Sequence, residues 1–181
     1  GRLLGTTQAS AGDNDPIAAM ARQALDEMRL AVRGMTAAPA LAADVFADWR
    51  AECVSRLEAA GLRARWEAGE PPDDLALPSR VQVQCTRVLR EAVSNVIRHS
   101  AATECRVRID WGGGGRMRGG ADNGRGPAPA GAGHGGHGLA SIEGRIRGLA
   151  GWHRFEAGEN GGTRLAAWVP LQTPSANIDT V

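Results

Sequence analysis

Glu91, Asn95 and His99 recur at steps of four residues. On an α-helix each such step rotates by about 40°, so the three form one polar ribbon. Arg87 extends that ribbon backwards and Arg98 flanks it. A solvated helix face presents a ladder of the same kind. Asparagine, however, is a slightly poor helix former, and its place in mid-helix asks for a reason. Its amide oxygen is a hard donor suited to magnesium, an ion that keeps several waters and leans on phosphate oxygens. A glutamate one turn away can hold a coordinating water or take a proton.

Glycine-bearing signals lie downstream. Asp122-Asn123-Gly124-Arg125-Gly126 follows a strand pattern. Alone it reads as an Asn-Gly turn. Its carboxylate would equally accept from an exocyclic amine, with the glycines letting a flat base lie against the backbone. Gly136-His137-Gly138-Leu139 then opens a helix. Backbone N–H groups at a helix start bind anions, and glycine lets a phosphate come near. The pattern is weak by itself. No Gly-Lys-Ser/Thr follows, so it is not a Walker loop, and no parallel βαβ unit surrounds it as a dinucleotide fingerprint requires. Gly161-Gly162-Thr163 enters the last strand, where the Thr163 hydroxyl serves either a turn or a base pocket. Of 25 glycines, 19 lie between residues 112 and 162, a density that either loosens a chain or admits a ligand to the backbone.

Helices and strands must position these groups. Asp15 as N-cap and Pro16 in the first turn start a helix over 16–35. Ile17, Met20, Ala24, Met28, Ala31 and Met35 form its apolar stripe, widened by Leu25 and Val32, and Gly34 and Pro39 end it. A second helix fits 41–60, with Leu41, Val45, Trp49, Cys53 and Leu57 at steps of four and Gly61 as the stop. The period then switches to two: Leu62-Arg63-Ala64-Arg65-Trp66 alternates as a strand with one wet face. Pro71, Pro72 and Pro78 mark a loop. The long helix 79–99 buries Val81, Cys85, Val88, Leu89, Ala92, Val96 and Ile97. Cys105, Val107, Ile109 and Trp111 alternate as a strand, and a poorer strand follows near 116–121. Residues 124–138 read as a loop, 139–149 as a short helix, and 152–156 with 164–169 as a closing hairpin turned at Asn160-Gly161-Gly162. Helices interleaved with antiparallel-looking strands indicate an α+β sandwich, one sheet covered by helices on one face.

Bulk properties bound the function classes. Of 181 residues, 43% are hydrophobic and 23% charged, as in globular proteins generally. A net charge of +1 offers no pull toward nucleic acid or an anionic membrane. No run of about 18 apolar residues is present, and there is no secretory signal. The first residue is Gly1 rather than Met, which suggests a piece of a longer chain. Cys53, Cys85 and Cys105 lack metal-ligand spacing and read as reduced core residues of a cytoplasmic protein.

The ordered set is Glu-x-x-x-Asn on a helix, Asp-x-Gly-x-Gly after a strand, Gly-x-Gly before a helix, and Gly-Thr into a last strand. It resembles the Bergerat-fold ATPase superfamily. "REAVSNVIRHS" is similar to the N box of bacterial sensor histidine kinases, "DNGRG" to their first glycine box and "GHGLASIEGRI" to the second. "GGTRLAAWVPL" is similar to their closing strand. The short lid between residues 126 and 136 resembles the subfamily that partners helix-turn-helix response regulators. The likeness covers 79–171, and extends weakly to 16–35, where "ALDEMRLAVRGM" resembles the second helix of a dimerisation unit.

The resemblance implies a two-layer α/β sandwich, its mixed sheet covered by helices on one face and preceded by a helix from a dimerisation bundle. Residues 1–38 would belong to the dimerisation and phosphotransfer segment, 39–173 to the ATP-binding catalytic domain, and 174–181 to a flexible tail. Asn95 would ligate Mg2+, and Glu91 would stand by the γ-phosphate as base or water-positioning residue. Asp122 would accept from the adenine amino group, with Gly124 and Gly126 shaping its pocket and Thr163 supporting it through water. Gly136, Gly138 and Leu139 would close the lid on the phosphates, with His99 and Arg98 as further phosphate contacts and His134 and His137 as lid residues. The phosphoacceptor histidine has no counterpart among His99, His134, His137 and His153, so transfer would go to a helix outside this chain, for relay to a response regulator. Gly119 and Gly120 stand where a buried β-branched pair usually precedes the aspartate, so either affinity is reduced or the strand is irregular there. The expected function is the ATP-Mg catalytic domain of a histidine kinase, homodimeric in the whole protein and lying on the cytoplasmic side of a membrane-anchored bacterial sensor. A nucleotide-binding regulatory module without transfer, and a serine kinase of the anti-sigma type, are the alternatives.

Overall fold

The computed structural model describes residues 16–36, 38–110, 116–122, 136–158 and 162–171. The chain divides into two units between Ala37 and Ala38. The first carries helix α1, Pro16–Thr36. Its stripe is open: Ile17, Met20, Leu25, Met28 and Val32 are all more than half exposed in the single chain.

The second unit opens with β1 (Ala40–Leu41) and α2 (Ala42–Ala59), followed by β2 (Arg63–Ala68), β3 (Ala76–Leu77) and α3 (Ser79–Asn95). A π-helical turn, Val96–Ser100, continues α3. Then come β4 (Glu104–Asp110), β5 (Arg116–Asp122), α4 (Gly136–Gly148), β6 (Trp152–Ala157) and β7 (Thr163–Trp168). Gly61 stops α2 as expected, and the reason is visible. Its φ is +77°, the Gly61 N–H bonds Glu58 O and the Leu62 N–H bonds Leu57 O, closing a Schellman cap.

Five strands form one sheet in the order β2-β4-β5-β7-β6. β2 and β4 are parallel and the other neighbours antiparallel, giving a mixed sheet. The parallel pair follows from α3, which carries the chain back to the starting end of the sheet. Cys105, Val107 and Ile109 of β4 are buried, while Arg106 and Arg108 between them are exposed. That alternation assigns one face to the helices and one to water. On the wet face Arg63 and Arg65 pair with Glu104, Arg106 with Glu67, and both Arg154 and Arg164 with Glu156. On the other face Leu57, Val88, Val93, Ile142, Ile146 and Val169 join the β4 residues in a single core.

Three departures from the sequence reading go beyond a residue or two at an element's end. The stretch read as a loop before residue 79 contains β3, which pairs with β1 through Ala40 to Leu77 and Leu41 to Ala76. Two-residue strands are too short to show a period. The helix expected over 79–99 leaves α-geometry after Asn95, and the helix expected from 139 begins at Gly136.

Candidate nucleotide site

Helix α3 is held on two flanks. Toward α2, the Arg90 guanidinium donates to both Glu52 carboxylate oxygens, at 2.6 and 3.0 Å, and the Trp49 indole N–H donates to Thr86 Oγ1 at 2.8 Å. Toward α4, Arg80 donates to Gly148 O at 2.6 Å and Arg145 to Gln84 Oε1 at 3.2 Å. Arg145 is itself steadied by Ser141 Oγ, one turn earlier on α4. The bidentate Arg90 pair and the two helix-to-helix bridges fix the rotation of α3 about its axis.

The α4 contacts also set direction. The start of α3 meets the end of α4, so the helices run antiparallel, and the N-terminus of α4 falls beside Glu91 and Asn95. The approach there is close. A Cβ built on Gly138 would overlap Glu91 Oε1, and would stand 3.2 Å from Glu91 Cδ and 3.3 Å from Asn95 Oδ1. A side chain at that position requires Glu91 to move, whereas a Cβ at Gly144, later on the same helix, would meet nothing within 4 Å. The Glu-x-x-x-Asn and Gly-x-Gly motifs, some forty residues apart in sequence, thus meet at one point.

The chemistry of that point is specific. Glu91 and Asn95 are half-buried and present a carboxylate and an amide oxygen, both hard donors. The helix beside them begins with backbone N–H groups that favour an anion. Oxygen donors next to a helix start that favours anions could hold a magnesium ion kept largely by phosphate and water. Among the described residues no three His, Cys, Asp or Glu side chains come together in a metal cage. Cys53, Cys85 and Cys105 are buried, and burial pushes the Cys53 and Cys85 thiols up to about 12 from 9.0.

The remaining expected residues fall as follows. Arg98 and His99 lie on the π turn and are exposed, beyond the half-buried part of the ribbon. There the Ser100 hydroxyl donates to Val96 O and accepts from the Ala102 N–H, and Ala101 at φ 50° ends the helix. Asp122 closes β5, its backbone opposite Cys105. Thr163 opens β7, the strand next to β5, and Ala121 pairs with Arg164, so the same register brings residues 122 and 163 side by side. Gly136 and His137 are the first two residues of α4, and Leu139 is partly exposed. Gly124, Gly126 and His134 lie outside the described residues. His153 packs edge-on to Phe155, a structural contact. The bridge from Arg145 to Gln84 was not anticipated. Its only trace in the sequence is the Ser141 and Arg145 spacing, which is common on helices.

No protein-family model matches this chain, and no curated protein matches it in sequence. Solved structures do match. The histidine kinase domain of a blue-light-activated histidine kinase from Erythrobacter litoralis EL346 is 16% identical, with 83% of this chain and 74% of that one covered at a TM-score of 0.61. Histidine kinase AdeS of Acinetobacter baumannii is 16% identical over 91% of this chain and 89% of its own, at 0.59. The ATP-binding domain of PrrB from Mycobacterium tuberculosis is 18% identical over 75% of this chain and 98% of its own, at 0.53. At such identities the likeness is one of fold. The chain has the α+β sandwich of histidine kinase ATP-binding domains, and the resemblance read from its motifs holds at that level.

Proposed function

We propose that this chain binds ATP with magnesium and is the catalytic domain of a sensor histidine kinase, passing the γ-phosphoryl group to a histidine outside the chain. The observation that supports it is the meeting of Gly138 with Glu91 and Asn95. Two glycine and polar motifs of no force separately become, at contact, a place for phosphate and a hard cation.

Asn95 would hold magnesium through its amide oxygen. The ion, when bound, supplies charge neutralisation and orientation of the phosphate oxygens. The first N–H groups of α4 would take a phosphate, and Gly138 would keep that approach open. Asp122 would accept from the amino group of adenine, with Thr163 alongside. In the transfer, a ring nitrogen of the acceptor histidine attacks the γ-phosphorus in line. The bond to the β,γ-bridging oxygen breaks and ADP leaves with the electron pair. Glu91, within reach of the phosphate end, takes the proton released by the imidazole.

The acceptor would be a helix of the parent kinase, with a response regulator as the next acceptor and α1 as half of a homodimeric bundle. The open apolar stripe of α1 supports that role, since a contiguous exposed apolar face marks an interaction surface. ATP use puts the domain on the cytoplasmic side. No described helix is long and apolar enough to cross a membrane. The test is transfer from γ-labelled ATP to a supplied histidine-bearing helix. We expect label on histidine, and about a hundredfold less with Glu91→Gln. Nucleotide binding with no transfer to any supplied acceptor would reduce the role to a regulatory module.

A further inference from the structure

β5 has one residue more than its neighbours match. Against β4, Cys105 pairs with Asp122 and Arg106 with Ala121, but Arg108 pairs with Arg118 and Ile109 with Met117. Gly119 and Gly120 therefore stand together opposite Val107. Against β7, Arg118 pairs with Ala166 and Ala121 with Arg164, so the same two glycines stand opposite Leu165. Both ladders of this central strand break at one point, which is a β-bulge.

The bulge decides which face position 122 occupies. Cys105, Val107 and Ile109 make up the buried rank of β4, and Arg106 and Arg108 the exposed one. Met117 is in register with Ile109, and Asp122 with Cys105. Five steps separate residues 117 and 122. In a regular strand an odd number of steps reverses the face, so the two positions would lie on opposite sides of the sheet. The extra residue in the bulge restores the phase. Glycine at 119 and 120 leaves that stretch without side chains, whereas a strand-forming pair such as valine would favour a regular ladder.

We infer that the bulge at Gly119 and Gly120 is a positioning device, which brings Asp122 into the helix-side rank beside Thr163 and thereby sets the preference for adenine. The inference rests on the reading of Asp122 as the base-recognising carboxylate. What reads in sequence as a weakened strand is a one-residue phase shift placed just before the site.

Two backbone variants test it. Deleting Gly120 removes the surplus residue and leaves Asp122 opposite Cys105. The pair Gly119→Val and Gly120→Val stiffens the strand toward a regular register, which would move Asp122 opposite Glu104 on the wet face. Register is read by adding Asp122→Cys to each background and mapping disulfides by mass spectrometry, since directly opposed strand positions lie at disulfide distance. Preference for adenine over guanine nucleotide is read by competition in the proteins that keep Asp122. We expect the bond to Cys105 in the parent and in the deletion, and its loss with the two valines. Adenine preference should persist in the deletion and fall about tenfold or more with the valines. Failure of the bond in the parent or in the deletion overturns the inference, and the deletion keeps it falsifiable if the valine protein does not fold. Bonds as expected, with no adenine preference in the parent, would instead refute the role of Asp122 and leave the register standing.

Discussion

A methyl group added at Gly138 separates stability from function. In helix interiors Gly→Ala is normally favourable by up to about 1 kcal/mol. The new Cβ would collide with Glu91 Oε1, the far end of a flexible side chain, and crowd Asn95 Oδ1 at 3.3 Å. Glu91 can yield by leaving its rotamer, at a cost of about 0.5–1.5 kcal/mol. These effects nearly cancel. For a chain of this size the melting temperature should move by no more than about 4 °C. The carboxylate, however, is displaced by about an ångström, a misplacement that costs roughly a hundredfold in rate. Gly144→Ala is the control, because its Cβ meets nothing within 4 Å on the same helix. Both variants would be compared by thermal melting, by titration with an ATP analogue and by transfer to a supplied histidine helix. Gly138→Ala should melt near the parent and lose transfer, whereas Gly144→Ala should keep both. Equal transfer in the two variants would refute the placing of Glu91 and Gly138 at the reacting end of the site.

Two further outcomes concern the scaffold. Ala150 ends α4 at φ 57°, with its N–H on Arg147 O and the Gly151 N–H on Ile146 O. Ala150→Gly should therefore stabilise by about 1 kcal/mol in urea titrations, and a lowered midpoint would contradict the cap. Gly151→Ala should destabilise, because its Cβ would meet the Trp168 carbonyl. The buried thiols give a pH dependence. Cys85 has its pKa raised to about 12 from 9.0 by desolvation. The raised folded value means that this stability is complete below pH 9.0 and is lost as pH climbs toward about 12. By pH 10 the loss is on the order of 1 kcal/mol per thiol. Urea midpoints at pH 8 and 10 should differ, less so in Cys85→Val, and an unchanged slope in that variant would refute the assignment.

Much of this was legible because the signals are local. Steps of four along α2 and steps of two along β4 reflect burial on one side, and Gly61 marks a cap that needs positive φ. Glu91 and Asn95 share a helix, so their spacing alone places them on one face. The junction with Gly138 was not legible from spacing, because it depends on α3 and α4 packing antiparallel through Arg80, Gln84 and Arg145. The π turn after Asn95 leaves no periodic trace within five residues. Gly119 and Gly120 were visible, but register is a relation between strands, and one strand read alone shows only missing side chains.

The most direct test of ATP binding with magnesium is calorimetric titration of this chain with a non-hydrolysable ATP analogue, with and without magnesium, alongside Asn95→Ala. The account predicts magnesium-dependent binding in the parent and its loss in the folded variant. Undiminished magnesium-dependent binding in folded Asn95→Ala would contradict it.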